Sequence, residues 1–128
     1  MKRKAMLWVT AAVAVPILGV SQSGSNGKST SISGWVIDSS CAYTKGLDKP
    51  ISPACAKACA KNGSPLVILR DDGTIFLPID SKTPSSSQNA KLLPFAGEHV
   101  KVSGTEYARG DSHGIVVASV APVFRCLG

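Results

Sequence analysis

The chain has 128 residues, of which 14 are Lys or Arg and 8 are Asp or Glu, so its formal net charge is +6. The basic residues form no long run of like charge, and only 5% of all residues are aromatic. A groove for single-stranded nucleic acid needs a basic track and several stacking rings, so this composition argues against one. The length suits one small domain.

The N-terminus has the features of a secretory signal peptide. Three basic residues at positions 2–4 precede an uncharged apolar run over 5–20, and small polar residues follow. The run is shorter than the roughly 20 apolar residues of a membrane-spanning helix, which argues against an uncleaved anchor. We predict a signal peptide over 1–23, cleaved after Ser21 or Ser23, and a secreted or periplasmic protein. Cleavage leaves eleven cations against eight anions, a net charge of +3.

The folded domain is predicted over 31–128, after a flexible N-terminus at 24–30. Its first strand is predicted over 31–38, where Ile32, Trp35 and nearby β-branched residues favour extended structure.

The segment 52–61, "SPACAKACAK", predicts the main helix. Ser52 can cap its unpaired N–H groups, Pro53 suits its first position, and Asn62-Gly63 offers a left-handed stop. About ten residues are marginal for an isolated helix. Since its apolar face holds only Ala and Cys, we expect burial to contribute little and a further fastening to hold the helix in place.

The segment 66–79 predicts a β-hairpin. Its first four residues form a continuous apolar run, Asp72-Gly73 is a favoured two-residue turn, and Ile75 and Leu77 then alternate with other residues. A polar connector follows at 81–90.

The C-terminal part predicts a helical turn over 90–93 and two further strands. Val100 and Val102 alternate with polar neighbours, as in a strand with one solvent-exposed face. The segment 115–123 predicts a mostly buried strand. Five strands with a helix before the last two predict an all-β fold, an OB-like five-stranded barrel. The short cysteine-bearing helix is expected between its first two strands. An SH3-like barrel or a small sandwich is the alternative.

The four cysteines, Cys41, Cys55, Cys59 and Cys126, predict two structural disulfides. Cys55 and Cys59 lie on one face of the helix, where a direct bridge between them would be strained. The pairing is then 41–55 with 59–126, or 41–59 with 55–126. A disulfide that closes a loop of about 15–20 residues would stabilise the chain by roughly 3 kcal/mol, and one that closes a loop of about seventy residues by roughly 4.5 kcal/mol. Such bridges would matter in a domain whose total stability is about 5–15 kcal/mol.

Metal binding is an alternative for the cysteines. Thiolates of Cys41, Cys55 and Cys59 could hold zinc or copper, and His99 and His113 could join them as ligands. The spacing differs from that of the zinc ribbons, which carry two-residue gaps.

Thiol–disulfide chemistry is a further alternative. Cys55 lies in the first turn of the predicted helix, with Lys57 and Lys61 nearby, although the gap between Cys55 and Cys59 is three residues rather than two.

Three segments together resemble a family of small exported bacterial proteins of unknown function: "GWVIDSSC" at 34–41, "CAKACAKNGSPLVIL" at 55–69 and "FAGEHVKVSGT" at 95–105. The resemblance implies an OB-type barrel with a Cys-x-x-x-Cys helix after the first strand, and a bacterial envelope or extracellular setting. It implies no activity. Members of the family often carry a histidine shortly after the first cysteine, whereas this chain has "AYTKG" at 42–46. That departure weakens the metal interpretation.

We therefore expect a non-enzymatic exported module, without catalytic residues, bound metal or other cofactor. It would bind an envelope or extracellular protein, a glycan or a small ligand. A metal-handling or thiol-active protein is the second hypothesis. Single-stranded nucleic-acid binding ranks last, because it would rest on fold analogy alone.

Overall fold

The computed structural model describes residues 11–14 and 27–124. The elements in chain order are β1 (Lys28–Asp38), α1 (Ser39–Thr44), α2 (Pro53–Lys61), β2 (Leu66–Leu69), β3 (Ile75–Pro78), α3 (Asn89–Leu92), a 3-10 turn (Leu93–Phe95), β4 (His99–Arg109) and β5 (Ser112–Pro122).

The five strands close into a barrel in the order β1-β2-β3-β5-β4. β1 runs antiparallel to both β2 and β4, β4 and β5 form an antiparallel hairpin, and β3 pairs with β5 in parallel. The helical segment that contains α3 joins β3 to β4, and two helices stand between β1 and β2. The predicted all-β, OB-like barrel is confirmed.

Two apolar clusters lie on opposite faces of the barrel wall. The interior cluster consists of Ile32, Val36, Ala56, Ala60, Leu66, Ile68, Phe76, Leu92, Ala96, Val100, Val102, Ile115 and Val117. The outer cluster consists of Ile37, Ala42, Val67 and Leu69, with Trp35, Ile51 and Ile75 partly buried against it. β2 is apolar throughout because its alternate side chains enter both clusters.

β1 begins earlier than the sequence indicated. Lys28 pairs with Glu106 and Thr30 pairs with Gly104, so 28–30 belong to the sheet. The prediction that this part of 24–30 is flexible was wrong; 24–26 lie outside the described residues. An exposed strand end made of Ser, Thr and Lys gives little apolar signal, and backbone pairing with β4 orders it instead.

The turn between β2 and β3 differs by one residue from the prediction. Arg70 N–H donates to Thr74 O at 2.9 Å and Gly73 N–H donates to Arg70 O at 3.0 Å, which leaves the three residues 71–73 in the loop. Gly73 has φ +88, the left-handed conformation that the last position of such a loop requires.

The predicted alternation around β4 is confirmed, whereas the prediction of a mostly buried strand over 115–123 was only partly right. Val100 and Val102 are fully buried and Lys101 is exposed. In β5 only Ile115 and Val117 are fully inside, so the strand is not mostly buried as predicted. Beyond Val117, Val120 packs partly buried against the interior cluster, while Ala118 and Ala121 are exposed.

The predicted signal peptide lies outside the described residues except at 11–14, which are exposed and have no regular secondary structure. In the part of the chain that is described, no helix is both long and apolar enough to cross a bilayer.

Candidate functional site

The cysteine-bearing helix α2 packs on the barrel through two of its alanines. Ala56 and Ala60 are buried in the interior cluster, so the helix closes one end of the barrel. Burial on this face is limited to two alanines, whose small side chains let the helix backbone approach the barrel closely. As predicted, Ser52 caps the helix and Pro53 begins it, with Ser52 Oγ accepting from Cys55 N–H at 3.3 Å.

The N-terminal end of α2 rests on the loop before β4. Gly97 has φ +82, and a Cβ atom there would lie only 2.3 Å from Pro53 Cα. Gly97 N–H also donates to Val36 O at 2.6 Å, which ties the same loop to β1. Only glycine allows this close approach of the loop to the helix.

The C-terminal end of α2 is tied to the start of β2. Ser64 N–H donates to Cys59 O at 3.1 Å. Asn89 then bridges the next residues: its Oδ1 accepts from Leu66 N–H at 2.9 Å and its Nδ2 donates to Ser64 O at 2.7 Å. The side chain thereby satisfies two partly buried backbone groups at the start of β2.

α1 is a short helix that the sequence analysis missed. Asp38 caps it by accepting from Cys41 N–H at 3.0 Å, and Ala42 packs in the outer cluster. The sequence signal was an Asp three residues before Cys41, but a six-residue helix rich in Ser gives no apolar period to support it.

Three cysteines meet at one cavity of about 140 Å³ between α1 and α2, here called the cysteine cavity. Its lining comprises Ile37, Asp38, Cys41, Lys45, Gly46, Lys49, Pro50, Ile51, Ser52, Cys55, Ala56 and Cys59. Cys41 and Cys59 are half-buried, whereas Cys55 is exposed. The fold therefore brings together the three sulfurs that the sequence analysis grouped.

The cavity environment disfavours ionisation of Cys41. Burial raises the pKa of its thiol, Lys45 partly offsets this by lowering it, and the charges of Asp38 and Cys59 raise it further. Asp38 is itself 3% exposed, and its Oδ2 has no hydrogen-bond partner among the described residues. A less ionised thiol is a poorer nucleophile and a poorer metal ligand at neutral pH.

The structure holds Cys41, Cys55 and Cys59 as thiols, and no disulfide joins any two of them. Cys126, their predicted fourth member, lies outside the described residues. Over 11–14 and 27–124, no group of three or more Cys, His, Asp or Glu side chains is arranged to hold a metal ion.

The two histidines proposed as additional ligands lie away from the cysteine cavity. His99 is buried edge-to-face against Trp35, with ring centroids 5.0 Å apart, and its Nε2 lies 3.4 Å from Asp71 Oδ1. His113 Nδ1 lies 2.8 Å from Glu106 Oε1, and its ring packs near Phe76. Neither lines the cavity, so the structure does not bring the proposed five ligands together.

A second cavity, of about 740 Å³, forms an open groove on the side of the barrel, here called the hairpin groove. Its walls are the β2–β3 loop and β3, the β4–β5 turn and the exposed face of α1. The lining residues are Tyr43, Asp72, Gly73, Thr74, Ile75, Leu77, Gly110, Asp111, Ser112, His113 and Gly114. This groove could not be predicted from the sequence, because its residues come from three distant segments.

The hairpin groove combines exposed apolar side chains with acidic groups. Tyr43 is 76% exposed and Leu77 is 49% exposed. Asp72 stays ionised, because hydrogen bonding from Thr74, whose N–H donates to its Oδ1 at 2.9 Å, lowers the pKa of its carboxyl. Arg70 lies 3.4 Å from the same carboxylate. With Asp111 contributed by the β4–β5 turn, the groove presents acceptors rather than a basic surface.

Comparisons with protein-family models, with curated proteins and with solved structures found no match to this chain. Its function is therefore inferred from the barrel, the cysteine cavity and the hairpin groove.

Proposed function

We propose that the chain is an exported, disulfide-fastened module that binds a neutral saccharide in the hairpin groove, without catalysis. The observation that carries the proposal is that the exposed side chains of Tyr43 and Leu77 line the same groove as Asp72 and Asp111.

The position of the groove agrees with how OB-type barrels are used. Such barrels bind oligonucleotides and oligosaccharides on the face of strands 2 and 3, between the loops that follow strands 1 and 4. Here those positions are occupied by Tyr43 of α1, by Leu77 of β3 and by the turn at Gly110 and Asp111.

The chemistry of the groove selects between these two ligand classes. The carboxylates of Asp72 and Asp111 would repel a phosphate backbone, but they can accept hydrogen bonds from sugar hydroxyl groups. Tyr43 presents an aromatic ring for the apolar face of a sugar and a hydroxyl for its rim. A neutral saccharide satisfies both kinds of group.

Thiol chemistry at the cysteine cavity is the second candidate, and the convergence of Cys41, Cys55 and Cys59 favours it. Catalysis by a thiolate, or its coordination of zinc or copper, would need a thiol that ionises readily. Cys41 instead has a raised pKa, so we rank a structural role for these sulfurs above a redox or metal-binding role.

Titration of the isotope-labelled protein with neutral hexasaccharides of the cello-, malto- and chito-series, followed by NMR, tests the saccharide proposal. We expect shift changes at groove residues, and Tyr43→Ala and Leu77→Ala should each weaken binding by about tenfold or more, a loss of roughly 1.4 kcal/mol. Leu47→Ala is the matched control, because Leu47 is 40% exposed and lies outside the groove. Binding of none of the three series, or binding that survives both groove variants, would contradict the proposal.

A further inference from the structure

The two ends of α2 lie against different parts of the chain, and this separates the environments of its two cysteines. Cys55 lies in the first turn of α2 and Cys59 lies in its last turn. The helix rises about 1.5 Å per residue, so the two Cα atoms are about 6 Å apart along one face.

The C-terminal end of α2 lies beside the start of α1. Cys59 O accepts from Ser64 N–H at 3.1 Å, and Pro65 O accepts from Ser39 N–H at 2.9 Å. A continuous hydrogen-bonded path thus leads from Cys59 to the residue two positions before Cys41. Both thiols are half-buried at the cysteine cavity, and Cys59 acts electrostatically on Cys41.

The N-terminal end of α2 lies at the end of the barrel where β5 finishes. Pro53 rests on Gly97, and Val123 N–H donates to His99 O at 2.9 Å. Cys126 follows Val123 by three residues, a span of at most about 10 Å. Val123 and Phe124, the last described residues, therefore lie at the end of the barrel that carries the loop supporting the exposed Cys55 end of the helix.

From these placements we infer that the disulfides are Cys41–Cys59, across the cysteine cavity, and Cys55–Cys126, between the N-terminal half of α2 and the C-terminal segment. The inference rests on the proposal that the cysteines are oxidised after export, and it selects one of the two connectivities that the sequence left open. The first bridge would close the cavity, and the second would fasten the chain end to the helix.

The oxidant is a disulfide of an exchange partner in the export compartment. A thiolate of the chain attacks that disulfide and releases one partner sulfur as a thiolate. A second cysteine of the chain then attacks the mixed disulfide. Each bridge releases two protons from the chain and transfers two electrons to the partner, which leaves as a dithiol.

A tryptic map without reduction distinguishes the two connectivities, because Lys57 lies between Cys55 and Cys59. Free thiols are first blocked with N-ethylmaleimide, so that bridges do not exchange. Cleavage places the four cysteines in separate peptides, 29–45, 46–57, 58–61 and 126–128. We expect 29–45 joined to 58–61 and 46–57 joined to 126–128. The crossed result, 29–45 with 46–57 and 58–61 with 126–128, overturns the inference.

A single variant provides an independent reading. Cys41→Ser should leave one thiol that reacts with maleimide, and that thiol should lie in 58–61, while the bridge from 46–57 to 126–128 remains. A reactive thiol in 46–57 overturns the inference. Four reactive thiols in the unmodified exported chain overturn both the inference and the disulfide part of the proposed function, whereas the crossed map leaves that proposed function standing.

Discussion

Phe76 and Leu77 are consecutive residues of β3 that point to opposite sides of the barrel wall: Phe76 is buried in the interior cluster and Leu77 lines the hairpin groove. The same four-residue strand therefore contributes to both stability and the proposed binding surface. The sequence suggested Ile75 and Leu77 as one face of the strand, which is correct, but that face is the outer one.

This arrangement predicts that the two neighbours differ strongly in their effect on stability. Phe76→Ala should lower the free energy of unfolding by about 3–5 kcal/mol, because it leaves a cavity in the interior. Leu77→Ala should cost less than about 1 kcal/mol, because its side chain already meets solvent. Urea unfolding of the two variants measures the difference, and equal losses would contradict the assignment of the faces.

Gly97 should be the least replaceable glycine of the helix-docking region. Gly97→Ala adds a methyl group that meets Pro53 at a left-handed backbone position, and we expect a loss of about 2–4 kcal/mol. Gly63→Ala is the matched control, since Gly63 has φ +96 with nothing within 4 Å of a Cβ atom, and should lose about 1 kcal/mol. Chemical unfolding that ranks Gly63→Ala as the more harmful change would be inconsistent with the close contact at Pro53.

Asn89 should stabilise the junction of α2 and β2 through its two backbone hydrogen bonds. Asn89→Ala leaves Leu66 N–H without its acceptor, so we expect a loss of about 1–3 kcal/mol. Asn89→Asp keeps the acceptor but loses the donation to Ser64 O, and should fall between Asn89→Ala and the unmodified chain. Thermal unfolding compares the three proteins. An unchanged midpoint in Asn89→Ala would show that the bridge contributes nothing.

In the reduced chain, Cys41 should be alkylated by iodoacetamide more slowly than the exposed Cys55 at pH 8. Burial, followed by the charges of Asp38 and Cys59, raises the pKa of Cys41, so less of it is thiolate at a given pH. Mass spectrometry of peptides 29–45 and 46–57 measures both rates. Asp38→Asn keeps a capping side chain but removes its charge, and should speed the alkylation of Cys41.

The raised pKa also has a consequence for the stability of the reduced chain. The folded state holds the Cys41 proton more tightly than the unfolded state does. The stability that this bound proton gives the folded state is therefore fully present below the ordinary thiol pKa. It is lost as the pH rises through the higher pKa of Cys41 in the folded state. Unfolding of the reduced protein over this alkaline range should show a decline that Cys41→Ser lacks.

The elements with strong local signals could be predicted from the sequence. Alternation identified Val100 and Val102 as inward residues, and the cap and stop residues placed α2 within one residue of its observed start. The barrel topology followed from the element order. These features depend on contacts between near neighbours or on a period that one strand carries alone.

The features that depend on tertiary packing could not be predicted. α1 is short and gains its stability from Ala42 in the outer cluster, which no local pattern reveals. The docking of Ala56 and Ala60 depends on the close approach that Gly97 permits. The metal alternative grouped Cys41, Cys55 and Cys59, but the difference in burial between Cys59 and Cys55 depends on how the helix packs on the barrel.

The intact mass of the protein recovered from its export compartment tests the account most directly. We predict a chain that begins after Ser21 or Ser23 and retains no metal when folded. Its mass should lie below that of the reduced chain by two hydrogens for each of the two disulfides. A folded, binding-competent protein that keeps residues 1–23 and carries four reactive thiols would contradict the account.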